Sequence, residues 1–130
     1  MKRRGATAVE FVLTLPVLLI LLAGVVDLGQ YLFLSDAVAA AIAEGARAGA
    51  LANPKKGEDP LAIARAAADQ WWTAAEMPVN LTVTATFAGT GAPTERLILR
   101  GTTPFGSQLS FLNIPATVAY SHTIRLFHQP

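Results

Sequence analysis

Sixteen consecutive residues, 11–26 (FVLTLPVLLILLAGVV), carry no charge, and twelve of them are Phe, Val, Leu or Ile. On a biological insertion scale each such side chain favours the bilayer by roughly 0.3–0.6 kcal/mol, so the run gains about 4–7 kcal/mol on leaving water. As a helix it extends about 24 Å, short of a hydrocarbon core of roughly 30 Å. The span therefore borrows from its flanks, backward through Glu10 towards Ala6 or forward through Asp27 towards Leu34. Lys2, Arg3 and Arg4 precede it, and the positive-inside rule keeps that end cytoplasmic and sends the C-terminus across. A cleavable secretory signal needs a small-x-small site after the apolar run. Ala23-Gly24-Val25 approximates one, but apolar character continues through Leu28, Tyr31, Leu32, Phe33 and Leu34. The expectation is a single membrane pass over about residues 6–30.

The other bulk properties narrow the choice further. At 130 residues the chain holds one small domain and an appendage. With 52% hydrophobic and 15% charged residues and a mean hydropathy of +0.42, it does not have the composition of a disordered chain. Ten Lys and Arg stand against nine Asp and Glu, so no basic excess marks nucleic acid as a partner. Without cysteine there is no disulfide, thiolate metal site or cysteine nucleophile.

Beyond Asp27 the sequence reads as unbroken helix to about Ala52, rich in alanine and free of proline until Pro54. Tyr31, Leu34, Val38 and Ile42 form one apolar stripe, and Glu44 and Arg47 can pair on the surface. Pro16 removes one backbone bond and is expected to kink or locally melt this helix. Residues 53–130 read as a small head. Asp59 caps a helix that opens at Pro60 and runs to about Glu76, with Leu61, Ala64, Ala68, Trp71, Trp72 and Ala75 on one face and Pro78 as its stop. Period-2 alternation predicts strands over 79–87, 95–100 and 116–126, joined by an AGTGAP turn and a Gly/Pro/Ser loop. The fold class expected is α+β: a long N-terminal helix, a short helix and a three-stranded antiparallel sheet.

Glu10 is the unusual residue, a carboxylate at the start of the apolar run. Such a group costs about 2–3 kcal/mol inside a membrane and either snorkels to the interface or has a task there. Its setting is a basic stub, Gly5, four small or apolar residues, Glu10, Phe11 and then the hydrophobic helix. That is the layout of a prepilin-type signal, cut after the glycine by a membrane aspartic peptidase. Cleavage would leave Ala6 with a positive amine, able to neutralise the Glu10 of a neighbouring helix and fix its axial register.

Arg4-Gly5-Ala6, Ala8-Val9-Glu10-Phe11, Leu15-Pro16, Val26-Asp27-Leu28-Gly29 and Glu44-Gly45-Ala46-Arg47 together resemble the TadE-like pseudopilins of tight adherence (Tad) type IV pili. The resemblance covers roughly residues 3–52. It implies a minor pilin in the bacterial inner membrane, with its N-terminus cytoplasmic and C-terminus periplasmic, and extracellular in a pilus after cleavage. The implied partners are a prepilin peptidase acting at Gly5–Ala6 and other pilins packed along the N-terminal helix, thereby supporting pilus assembly and surface adhesion. Glu10 and Phe11 are the implied recognition and assembly residues. Asp27, Gly29, Glu44, Gly45 and Arg47 are candidates for helix packing. Segment boundaries follow as a leader over 1–5, a long helix over 6–52 and a head over 53–130. The alternative is an uncleaved single-pass scaffold of the same assembly machinery.

Several weaker signals carry little. His122 and His128 show no metal-ligand spacing with Asp or Glu, and Gly89-Thr90-Gly91 lacks the following helix that phosphate binding needs. Asn80-Leu81-Thr82 reads as strand polarity rather than a glycosylation site, and Trp71-Trp72 as core packing. Gly45-x-x-x-Gly49 permits a close helix contact with a partner, although it lies beyond the membrane span in an alanine-rich helix. No nucleophile–base pairing is visible, so neither an enzyme, a cofactor nor a small-molecule substrate is expected.

Overall fold

The computed structural model describes residues 3–89, 95–109 and 113–126, with side chains from Ala8 onward except that of Pro54. Its first element, α1, is an uninterrupted 49-residue helix, Arg3–Leu51, about 73 Å long. It continues through Pro16, so the local melting expected there does not occur. One N–H is missing at that point, which frees the Val12 carbonyl. In the turn before it, the Thr14 hydroxyl donates to the carbonyls of Glu10 at 3.0 Å and Phe11 at 3.1 Å.

A short 3-10 turn over Pro54–Lys56 reverses the chain, and α2 follows over Pro60–Ala74. The Asp59 carboxylate accepts from the Leu61 amide at 2.9 Å and Pro60 occupies the first turn, as the sequence indicated. Helix α2 stops at Ala74, four residues before Pro78, because Glu76 turns into the left-handed region at φ 51°. The face read from the sequence is the packed one, with Ala64, Ala68 and Trp72 buried.

Three antiparallel strands follow in the order β1-β2-β3: β1 over Thr82–Ala88, β2 over Arg96–Pro104 and β3 over Thr117–Arg125. Strand β1 opens three residues later than expected. Its lead-in serves other partners, the Trp72 indole N–H donating to the Val79 carbonyl at 2.7 Å and the Thr103 hydroxyl to the Asn80 carbonyl at 2.9 Å. Strand β2 runs four residues past Arg100, into the segment read as a loop. Gly101 is the cause: a Cβ there would lie 2.7 Å from Ile42 Cγ1, so only glycine lets the strand lie flat on α1. Residues 90–94, which take in most of the turn expected from AGTGAP, and His128 lie outside the described residues.

Strand β2 descends α1 antiparallel to it, pairing Leu97 with Gly49, Leu99 with Gly45, Gly101 with Ile42 and Phe105 with Tyr31. The lengths match. From Gly49 down to Asp27 the helix falls about 33 Å, and from Leu97 to Ser107 an extended strand covers about the same. The core between them holds Leu34, Val38, Ile42, Trp72, Leu97, Leu99 and Val118, so the predicted stripe on α1 is the buried one.

The Gly45-x-x-x-Gly49 pair is filled from within the chain. A Cβ at Gly45 would stand 2.5 Å from the Ala64 carbonyl oxygen, and one at Gly49 would stand 2.8 Å from Ala64 Cβ and 2.9 Å from the Pro60 carbonyl. These glycines set the closeness of α1 to α2. Gly29 on the same helix has nothing within 4 Å of such a Cβ. Alanine should therefore act oppositely at the two places. Gly45→Ala is expected to lower stability by about 1–3 kcal/mol through overpacking. Gly29→Ala is expected to leave it unchanged or raise it by up to about 1 kcal/mol through helix propensity. Urea unfolding of both variants of the full chain in detergent, followed by tryptophan fluorescence, measures the difference.

Candidate functional site

The functional region is α1 itself, which meets two environments. Over residues 8–26 nearly every side chain is exposed, Phe11 at 62%, Leu18 at 62% and Val25 at 69%; only Leu15, Ala23 and Gly24 approach partial cover. These 19 residues rise about 28 Å, close to the thickness of a bilayer's hydrocarbon core. A bare apolar cylinder of this size is not a water-facing surface. Helix α1 is long and apolar enough to cross a membrane.

Asp27 marks the change of environment. Among the described side chains it is the first buried one of α1, with no exposed surface. The β2–β3 loop closes over it. Ser107 donates its hydroxyl to Oδ2 at 2.7 Å, the Leu109 amide donates to the same oxygen at 3.0 Å, and the Gln108 amide donates to Oδ1 at 3.1 Å. A second contact within the loop, from the Ser107 hydroxyl to the Leu109 carbonyl at 3.0 Å, holds the turn in shape. Both carboxylate oxygens are thus satisfied inside the chain, and Asp27 is not open to a neighbouring helix. Four residues on, Tyr31 meets Phe105 edge-to-face with ring centroids 5.3 Å apart. From Asp27 upward one side of α1 is committed to the head.

The other residues singled out from the sequence divide into two groups. Gly45 is buried in the α1–α2 contact. Glu10, Phe11, Gly29, Glu44 and Arg47 are all exposed, and no ion pair joins Glu44 to Arg47. Gly5 and Ala6 lie within α1, in a stretch whose side chains are not described, and Pro16 is exposed in mid-helix. Above Asp27 an apolar stripe of Leu28, Gly29, Leu32 and Phe33 remains uncovered, with Leu32 at 54% and Phe33 at 63% exposure. Sequence reasoning missed Ser107, Gln108 and Leu109. Only the turn-forming character of Gly106-Ser107-Gln108 was legible, and nothing local ties it to a carboxylate 80 residues earlier.

Residues 5–47 match the family model of the TadE-like proteins. Helix α1 is thus similar to the TadE-like proteins over most of its length. The match spans about a third of the chain and takes in every candidate from Gly5 to Arg47, while α2 and the sheet lie beyond it. The family is a structural one, associated with the Tad pilus. No curated protein and no solved structure matches the chain.

The Asp27 contact has a measurable consequence. Asp27→Asn turns one acceptor oxygen into a donor facing the loop donors, leaving at least one of them unpaired. Hydrogen exchange at the Gln108 and Leu109 amides should accelerate by about tenfold or more, whereas Asp36→Asn, on the exposed side of α1, should leave both rates unchanged.

Proposed function

We propose that this protein is a minor pilin of a Tad-type pilus, held in the inner membrane by residues 8–26 until its helix joins a bundle of similar helices. The observation that carries the reading is the division of α1 at Asp27: an almost wholly exposed apolar segment of membrane length below, and a packed head above. The TadE-like character of the same helix supports it.

In this reading the leader ends at Gly5. Glycine leaves the scissile bond sterically open to a peptidase, and cleavage gives Ala6 a positive amine. The exposed Glu10, four residues further on, then pairs with that amine on a neighbouring pilin. Within a low-dielectric bundle an unpaired carboxylate is costly, so the pair sets the axial register. Gly29, Leu32 and Phe33 extend the packing surface above the membrane, and Glu44 and Arg47 supply charged contacts near the top of α1. A chain placed in this way supports pilus initiation, assembly or the tip, and through it surface adhesion.

Two experiments test it. The N-terminus of the protein recovered from cells is expected at Ala6, with Gly5→Leu blocking the cut; a start at Met1 would instead mark an uncleaved membrane scaffold. Glu10→Gln is expected to insert and be cut normally but to co-purify poorly with the other pilins. Breaking one side of a buried pair costs about 3–5 kcal/mol, enough to exclude a subunit from the bundle. Equal recovery of mutant and wild type, normalised to membrane level, removes the amine–carboxylate pairing.

A further inference from the structure

The side of the sheet turned away from α1 has a composition found nowhere else in the molecule. Its outward positions are Thr82, Thr84, Thr86 and Ala88 on β1, Arg96, Ile98, Arg100, Thr102 and Pro104 on β2, and Thr117, Ala119, Ser121, Thr123 and Arg125 on β3. Seven hydroxyls and three guanidinium groups share this face, and no strand contains an acidic residue. From Met77 to the last residue the only acid is Glu95, which precedes β2. The stretches outside the described residues add no acid either. Arg96 and Arg125 stand directly opposite each other in the ladder. Like charges so placed destabilise a sheet.

We propose that this face binds an acidic polysaccharide, a sugar polymer bearing carboxylate or sulfate groups. Arginine forks pair bidentately with such anions. Threonine and serine hydroxyls both donate and accept, which suits the hydroxyls a sugar polymer carries between its charges. Arg96 and Arg125 form a double positive point, and Arg100 stands about 13 Å along the strand. The level of the face on the molecule excludes lipid headgroups: Arg96 adjoins Leu97, which rests on Gly49, about 33 Å of helix above Asp27. Single-stranded nucleic acid is disfavoured because no aromatic ring lies among these outward positions to stack a base. This inference stands on the face alone and does not require assembly into a pilus.

The test uses the full chain in non-ionic detergent and measures retention on immobilised heparin and on a polyuronate such as alginate. Binding should weaken with salt at a log–log slope of roughly −2 to −3, as for three charge contacts. Arg125→Gln and Arg96→Gln should each weaken it about tenfold, with the melting temperature unchanged or raised because the opposed like charges are relieved. Lys56→Gln, in the 3-10 turn, should retain full binding. Unchanged retention of the two arginine variants would overturn the proposal, since the basic N-terminal stub would then account for it. Tighter binding to duplex DNA than to either polysaccharide would overturn the choice of ligand. A lowered melting temperature together with unchanged retention would make the arginine pair a packing feature only.

Discussion

One helix carries two kinds of surface, bare and apolar below Asp27 and packed against a head above it, and the rest of the structure is arranged around that division. Below Asp27, α1 bonds its backbone internally except at Pro16, which leaves the Val12 carbonyl without its helical partner, and it presents mostly apolar side chains on every side. Above it the same helix buries only one side, against α2 and the sheet. The junction needs a group that fixes where one regime gives way to the other. A carboxylate held by a hydroxyl and two backbone amides does this, because each donor would be left unsatisfied if the loop slid along the helix.

The head is small and has no disulfide, so its cohesion rests on close packing along α1. Gly45, Gly49 and Gly101 bring α2 and β2 nearer than any side chain would allow. Alanines at 37, 41, 46, 64 and 68 fill the remaining interface with little volume. The alanine richness of the chain, which reads first as helix propensity, also serves as a spacing device. Large side chains enter from the sheet and from Trp72, whose indole N–H is satisfied by the Val79 carbonyl.

Because strand and helix run antiparallel over nearly equal lengths, each level of the head is tied to a level of α1. Phe105 lies by Tyr31, one turn above Asp27, and Leu97 lies by Gly49 far above it. Charge follows the same geometry. Acids lie on the helices and their connections, apart from Glu95, while the charged groups on the outward side of the sheet are all arginines, set among hydroxyls and a few apolar residues. The surface of the head is therefore polarised even though the net charge is only +1.

Local pattern alone determined the elements: the charge-free run at 11–26, the α1 stripe, the Asp59-Pro60 start of α2 and the alternation of three strands are all short-range signals. The similarity to the TadE-like proteins was legible for the same reason, since its marks lie along one continuous helix. Where a long-range contact decided the outcome, the sequence was silent. Strand β2 passed through Gly101-Thr102-Thr103-Pro104 because α1 offered a surface that only glycine could approach. The beginning of β1 was delayed by hydrogen bonds from Trp72 and Thr103. Asp27 could be read as a carboxylate at a membrane edge, but its three donors lie 80 or more residues away, and only the folded chain brings them together.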